Sequence, residues 1–174
     1  MRHIYFLRHA KSSWDDGALD DFERPLSGRG RKAARAMGKF LAKQNIRPNL
    51  VLCSAAKRTR STYEIIEPRL EGVPVSIERD LYAAAKGNLL DRLRKLDDHL
   101  ASVMLIGHNP GLERLAAFLA GPHGEPHALE HLAEKFPTGT LAIIETDTPR
   151  WAQLDAGTCR LTALIRPRDL DESA

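Results

Sequence analysis

The sequence predicts an α/β fold in three layers, a mainly parallel sheet flanked by helices. Short apolar runs alternate with amphipathic helical stretches through the first two thirds of the chain. The last apolar runs have no helix between them, so they are expected to pair as a hairpin at one edge. At 174 residues the chain is long enough to bury a full core as one domain.

The elements follow in order. Ile4 to Leu7 is a short apolar run, read as a buried strand. A polar loop spans Lys11 to Pro25, and Ser27 is placed to cap a helix. From Lys32 to Gln44, Ala33, Ala34, Met37, Phe40 and Leu41 recur at helical spacing. Pro48 breaks the chain before a second strand, Leu50 to Cys53. Lys57 to Glu67 reads as a helix stopped by Pro68, and Val73 to Ile77 as a third strand. Leu89, Leu90, Leu93, Leu96 and Leu100 mark another amphipathic helix. Val103 to Ile106 is the fourth strand. Leu112 to Leu119 is a helix ended by Gly121-Pro122. Leu141 to Glu145 and Arg160 to Ile165 are late strands, with Trp151 to Leu154 expected to pair between them. The domain is placed at residues 1–165, and residues 166–174 read as a polar, frayed tail.

Composition narrows the partners. Apolar residues make up 43% and charged ones 28%, the ordinary globular mix. The net charge of +3 is a weak pointer to an anionic partner. Basic residues are interleaved with acids and the aromatics form no stacking run, so nucleic acid is not expected. No apolar stretch approaches the ~20 residues that span a bilayer. The N-terminal apolar run is short and interrupted by Arg8, unlike a signal peptide. Cys53 and Cys159 show no metal or redox spacing. These features predict a cytoplasmic protein with no membrane partner, and they imply no cofactor.

In open α/β sheets, ligands bind beyond the carboxyl ends of the strands. Arg8 and His9 follow the first strand. Ser54 and Arg58 follow the second. Gly107, His108 and Asn109 follow the fourth. One such His or Arg is ordinarily a solvated or capping residue. Two histidines and two arginines from three strand ends converge on one rim, which points to an anion site. Guanidinium groups match phosphate oxygens in geometry. Helices starting near Arg58 and Pro110 would add free N–H groups and positive dipole ends. A neutral imidazole is a competent nucleophile towards phosphorus. A second histidine can donate to the charge that builds up during transfer. Such an arrangement requires no metal.

The chain resembles the histidine phosphatase superfamily, which also contains the cofactor-dependent phosphoglycerate mutases. Three blocks carry the resemblance: Arg8-His9-Ala10, with Ala where the family has Gly; Ser54 to Thr62, similar to Ser-x-Ala-x-Arg-Thr-x-x-Thr; and Gly107-His108-Asn109-Pro110. Leu7 to Trp14, Asp21 to Ser27 with Gly30, and Gly107 to Glu113 are similar to phosphohistidine phosphatases of the SixA type. The resemblance runs from Met1 to about Ile165. It implies a phosphoglycerate mutase-like fold in which His9 is phosphorylated by substrate and then hydrolysed by water. Arg8, Arg58 and His108 would hold the phosphoryl group. Ser12 and Asp15 occupy the stretch where relatives carry a polar phosphate contact, and Ser12 and Asn109 are further phosphate-binding candidates.

One departure carries chemical information. Larger members have a Glu after the third strand that protonates the leaving group, and here that region reads Arg79 to Lys86. Asp80 is the nearby candidate acid. The long helical insertion of the mutases is absent, with about a dozen residues between the third strand and the next helix. An alkoxide needs a proton to leave, whereas an imidazole with a reference pKa of ~6.5 needs little help. The expected substrate is therefore phosphohistidine displayed on a partner protein, in signal transduction. The alternatives are a phosphatase of small phosphate esters on the same scaffold and a non-catalytic phosphate-binding or phosphoprotein-binding module.

Other signals have plainer readings. Cys53 and Arg58 lie one residue too close for a tyrosine-phosphatase loop and lack its glycines, so Cys53 is read as core. Gly28-Arg29-Gly30 reads as a turn at a helix start rather than a dinucleotide loop. His123, His127 and His131 are spaced by four beside Glu130 and Glu134, but Pro122, Gly124 and Pro126 argue against a helix through the first two. They read as a surface loop flanking the rim, close to the Thr138-Gly139-Thr140 turn, where a substrate contact is expected from the resemblance. Lys11 is either a solvated loop residue or a charge at the pocket mouth. Lys57 and Arg60 read as surface residues.

Overall fold

In a computed structural model, which describes residues 1–170, six strands form one sheet: β1 (Arg2–Arg8), β2 (Leu50–Ser54), β3 (Val75–Glu78), β4 (Ser102–Gly107), β5 (Leu141–Thr146) and β6 (Cys159–Ile165). Their order is β3-β2-β4-β1-β5-β6. The first four strands run parallel, and β5 and β6 complete the sheet as antiparallel neighbours. The mainly parallel sheet and its closing hairpin are as the sequence predicts.

Alternation along each strand sorts the two faces. Ile4, Phe6, Val103 and Leu105 pack on one side beneath α3 (Lys86–Arg94), α4 (Gly111–Ala120) and α5 (Pro126–Glu134). Leu7, Met104 and Ile106 pack on the other with Met37 and Leu41 of α1 (Gly28–Lys43) and Ile66 of α2 (Lys57–Ile66). Strands buried on both faces read as continuous apolar runs, which is why β1, β2 and β4 stand out in the sequence. Residues 79–85 alone separate β3 from α3, so no helical insertion covers this end of the sheet.

Four expectations are corrected. The leucine-marked helix ends at Arg94, short of Leu96 and Leu100. Asp97 takes the chain into a turn instead: its carboxylate accepts from the His99 amide and its carbonyl from the Leu100 amide. Trp151 to Leu154 does not pair as a strand. Trp151–Gln153 is a 3-10 turn whose buried indole donates to the Leu100 carbonyl at 3.1 Å. The stretch read as a loop at His127 and His131 is helix α5. Pro126 argues for a helix start, because it sits at the first position, where its missing N–H costs nothing, and Glu125 caps the turn through the Ala128 amide. The tail is ordered in part, as Pro167–Asp169 form a 3-10 turn with Arg166 paired to Asp169, while residues 171–174 lie outside the described residues. The α1 start also moves forward to Gly28, with Ser27 capping as expected.

Candidate active site

The register of β1 on β4 builds the centre of the site. Arg8 lies opposite Gly107, so the next residue on each strand is a histidine, and the His9 amide donates to the Gly107 carbonyl at 3.1 Å. The two imidazole rings end 5.4 Å apart between centroids. β2, on the far side of β4, delivers Ser54, and the first turn of α2 delivers Arg58. Together Arg8, His9, Ser12, Arg58, His108 and Asn109 line one pocket of about 550 Å³.

Each side chain is held by its neighbours. His9 Nδ1 lies 2.7 Å from the Ala10 carbonyl. An acceptor there keeps the proton on Nδ1 and leaves Nε2 with a free lone pair. Burial, and the positive charge of Arg58, Arg8 and Arg24, push the His9 pKa down to about 4. The ring is therefore neutral at pH 7, the form that attacks phosphorus. Burial and the nearby cations likewise take His108 to about 3. His108 Nε2 shares a 2.7 Å hydrogen bond with the Ser54 hydroxyl, and Nδ1 faces Arg58 Nη2 at 3.5 Å.

Loop residues hold the arginines. Arg58 donates from Nη1 to the Asp21 carbonyl at 2.7 Å and from Nη2 to its carboxylate at 3.1 Å. Arg24, itself buried, donates to the same carboxylate and to Ser12 Oγ at 2.7 Å, and lies 3.5 Å from the centre of the Trp14 ring. The Tyr82 hydroxyl also donates to Asp21, at 2.5 Å, and with the two guanidinium groups it holds the carboxyl down to about 2. Arg8 donates to the Phe136 carbonyl. The Nε groups of Arg8 and Arg58 are buried without an acceptor among the described residues, an uncommon state for a donor and one suited to an anionic ligand.

Some predicted contacts are placed differently. Asn109 lines the pocket, but its amide is engaged: Nδ2 donates to the Phe136 carbonyl and Oδ1 accepts from the Glu113 amide. Asp80 is exposed on a 3-10 turn and is not among the residues lining the pocket, nor is Asp15. Cys53 faces the core, and burial raises its thiol to about 12, so it is no thiolate nucleophile. Among the described residues no cluster of three or more His, Cys, Asp or Glu is placed to hold a metal ion, and His123 lies outside the helix that carries His127 and His131. Lys11 does line the pocket mouth, with Lys135, Pro137 and Thr138.

Asp21, Arg24 and Tyr82 were not singled out from the sequence as site residues. They come from loops that no strand-end rule reaches. For Asp21 and Arg24 the signal was the resemblance of the Asp21 to Ser27 stretch, which gave neither residue a role.

Comparison with known proteins gives four findings. Residues 4–94 match the sequence profile of the Histidine phosphatase superfamily (branch 1). An uncharacterized protein of Mycobacterium tuberculosis is 32% identical over 163 residues, covering 93% of this chain and all of that protein. An uncharacterized chloroplastic protein of Arabidopsis thaliana is 34% identical over 180 residues, covering 95% of this chain and 78% of its own. A solved structure assigned as the phosphohistidine phosphatase SixA of Agrobacterium tumefaciens superposes with a TM-score of 0.81 at 28% identity, covering 95% of this chain and 98% of the other.

Proposed function

Because the chain belongs to the histidine phosphatase superfamily, and to its SixA type, we propose that the pocket at His9 hydrolyses phosphohistidine on a partner protein. One observation carries the reading: a neutral, buried His9 stands beside His108 with Arg8 and Arg58 on the same pocket.

The chemistry follows in two displacements. His9 Nε2 attacks phosphorus as the bond from phosphorus to the substrate imidazole breaks. That imidazole, already carrying a proton on its ring, leaves as a neutral base. Water then attacks phospho-His9, the His9 nitrogen recovers its electron pair, and the water proton passes to the released phosphate. Arg8 and Arg58 bind the phosphoryl oxygens through both steps. His108 Nδ1 accepts from Arg58 Nη2 and its Nε2–H donates to Ser54, so the neutral ring steadies Arg58 against the phosphoryl group. Asn109 and Ser12 shape the pocket wall, Ser12 through Arg24.

The choice of a P–N bond rests on the acids. Among the described residues Asp21 is the carboxylate that lines the pocket, and at a pKa of about 2 it is ionised at neutral pH and has no proton to give. Asp80 stands apart from the pocket wall. An alkoxide leaving group would go unprotonated, while an imidazole needs no such donor. The reaction is read as metal-independent and the catalytic unit as one domain over residues 1–165. The two free, buried cysteines suit a reduced, cytoplasmic compartment. Among the described residues no helix is long and apolar enough to cross a membrane.

Turnover of phosphohistidine against a panel of metabolite phosphates tests the reading, with His9→Ala as control. Faster turnover of a sugar phosphate favours the small-ester alternative. Full activity in His9→Ala refutes the mechanism. Tight phosphate binding with no trapped phospho-His9 marks a binding module.

A further inference from the structure

A second concavity of about 830 Å³ opens beside the pocket at His9 and shares Lys11, Lys135, Pro137 and Thr138 with it. Among the described residues its wall carries six cations, Lys11, Arg29, Lys32, Lys135, Arg166 and Arg168, against a single carboxylate, Glu134. Arg166 is committed to Asp169. Lys11, Arg29, Lys135 and Arg168 make no side-chain hydrogen bond or ion pair with another described residue. Within the described residues these four charges face the trough.

The placement runs against intrachain stability. Arg29 sits in the first turn of α1, whose dipole end is already positive, and that turn holds no acidic residue. Helices ordinarily put acids at that position. The same turn is pressed onto the loop that follows His9: the Ser27 amide donates to the Lys11 carbonyl at 2.9 Å. From the other side, α5 ends at Lys135 and the turn after it brings Thr138 to the pocket. Cations from the first loop, α1, the end of α5 and the segment after β6 thus face one trough.

We propose that this trough binds an acidic polypeptide segment flanking the phosphorylated residue of the substrate protein. The inference rests on the function proposed above and names what that substrate carries next to its phosphoryl group. The trough continues the phosphate pocket, so one substrate occupies both. It is larger than the phosphate pocket itself and spreads its cations along a wall, which suits several carboxylates in series rather than one oxyanion. No aromatic side chain lines it, so it offers no stacking platform for nucleic-acid bases.

The test uses three substrates: a phosphohistidine peptide with Asp and Glu flanks, the same peptide with Asn and Gln flanks, and free phosphohistidine. Arg29 and Arg168 line the trough and not the phosphate pocket, so the variant is Arg29→Ala/Arg168→Ala. The full-length chain should prefer the acidic peptide by roughly tenfold in kcat/KM at low salt, since each exposed pair gives a few-fold effect. The preference should fade at high salt and vanish in the double variant, with free phosphohistidine turned over at the same rate. Equal kcat/KM for the two peptides, or a variant that slows all three substrates alike, overturns the proposal. So does a small bis-phosphate that outcompetes the acidic peptide and loses that advantage in the variant. Fluorescence anisotropy with the unphosphorylated acidic peptide separates the two readings. If the chain turns over no phosphohistidine yet binds this peptide in a salt-sensitive way that the variant loses, the function fails and the trough stands. If the peptide binds both proteins alike, the trough fails.

Discussion

Asp21 grips Arg58 twice, once through its carboxylate and once through its own backbone carbonyl. The two residues are 37 positions apart, so a loop that touches no strand sets the orientation of a guanidinium at the phosphate pocket. Arg24 and Tyr82 fix the same carboxylate from other sides. Asp21 is thus read as a positioning residue. Removing it should leave Arg58 in place through the backbone contact but free to swing. Misplacement by about 1 Å costs up to ~100-fold in rate. Asp21→Ala is expected to lower kcat/KM by about 10- to 100-fold with kcat falling further than KM rises. Asp21→Asn, which keeps an acceptor, should recover most of the loss. Steady-state kinetics of both variants checks this, and an Asn variant as impaired as Ala would refute it.

Ser54 plays the corresponding part for His108. It is fully buried, and its hydroxyl oxygen accepts both from the Ala56 amide and from His108 Nε2. That bond selects the His108 tautomer. Ser54→Ala should release the choice and reduce turnover by up to ~100-fold, because Arg58 loses its fixed acceptor at Nδ1. The sharper readout is the nitrogen-15 spectrum of His108. The wild-type ring should show a protonated Nε2, and the variant a mixture or the opposite tautomer. An unchanged spectrum would show that Ser54 does not set the tautomer.

What the sequence made legible follows the physics of each element. Apolar runs at β1, β2 and β4 name the central strands, and the residues just past them name His9, Arg58 and His108. The same reasoning explains two buried hydroxyls only after the fold is seen. Thr62 accepts from the Ala10 amide and donates to the Arg58 carbonyl, tying the first strand end to α2, while Thr59 donates to the Ser54 and Ala56 carbonyls. Pairing at a distance of 52 residues leaves no local periodicity. Helix α5 was hidden because Pro126 carries opposite meanings at a first turn and in a helix interior. The trough was invisible because its cations come from four separate segments.

Gly30 marks how tightly α1 is seated. A Cβ on this residue would stand 2.0 Å from the Lys11 carbonyl oxygen, which is backbone and cannot step aside cheaply. The helix start, the Lys11 carbonyl and the loop after His9 therefore pack as one unit. Gly30→Ala has better helix propensity, yet it should destabilise the fold by about 1–3 kcal/mol through overpacking. Gly28→Ala, two residues earlier with nothing within 4 Å, should be neutral or slightly stabilising. Urea midpoints of the two variants decide it. Equal midpoints would mean that the contact at Lys11 relaxes.

The two buried histidines also tie stability to pH. Their folded pKa values, about 4 for His9 and about 3 for His108, lie below the unfolded value of ~6.5. Below pH 6.5 the unfolded chain binds protons that the folded chain refuses, so acidification favours unfolding. The loss should begin near pH 6.5 and run down through the folded pKa values. Each histidine contributes a slope of at most about 1.4 kcal/mol per pH unit. From pH 6.5 to 5 that is up to about 2 kcal/mol per ring. Asp21 acts in a separate window: its folded pKa of about 2 is below the usual carboxylate value of 3.8, so its contribution is lost only as pH falls from about 4 through 2. Urea unfolding at pH 7, 6 and 5 should therefore show a stability loss that His9→Gln reduces and His9→Gln/His108→Gln reduces further. Parallel pH curves for wild type and double variant would show that the rings titrate alike in both states. Phosphate, as an anion beside both rings, should favour their protonated forms, so saturating the pocket with it should flatten the same curve.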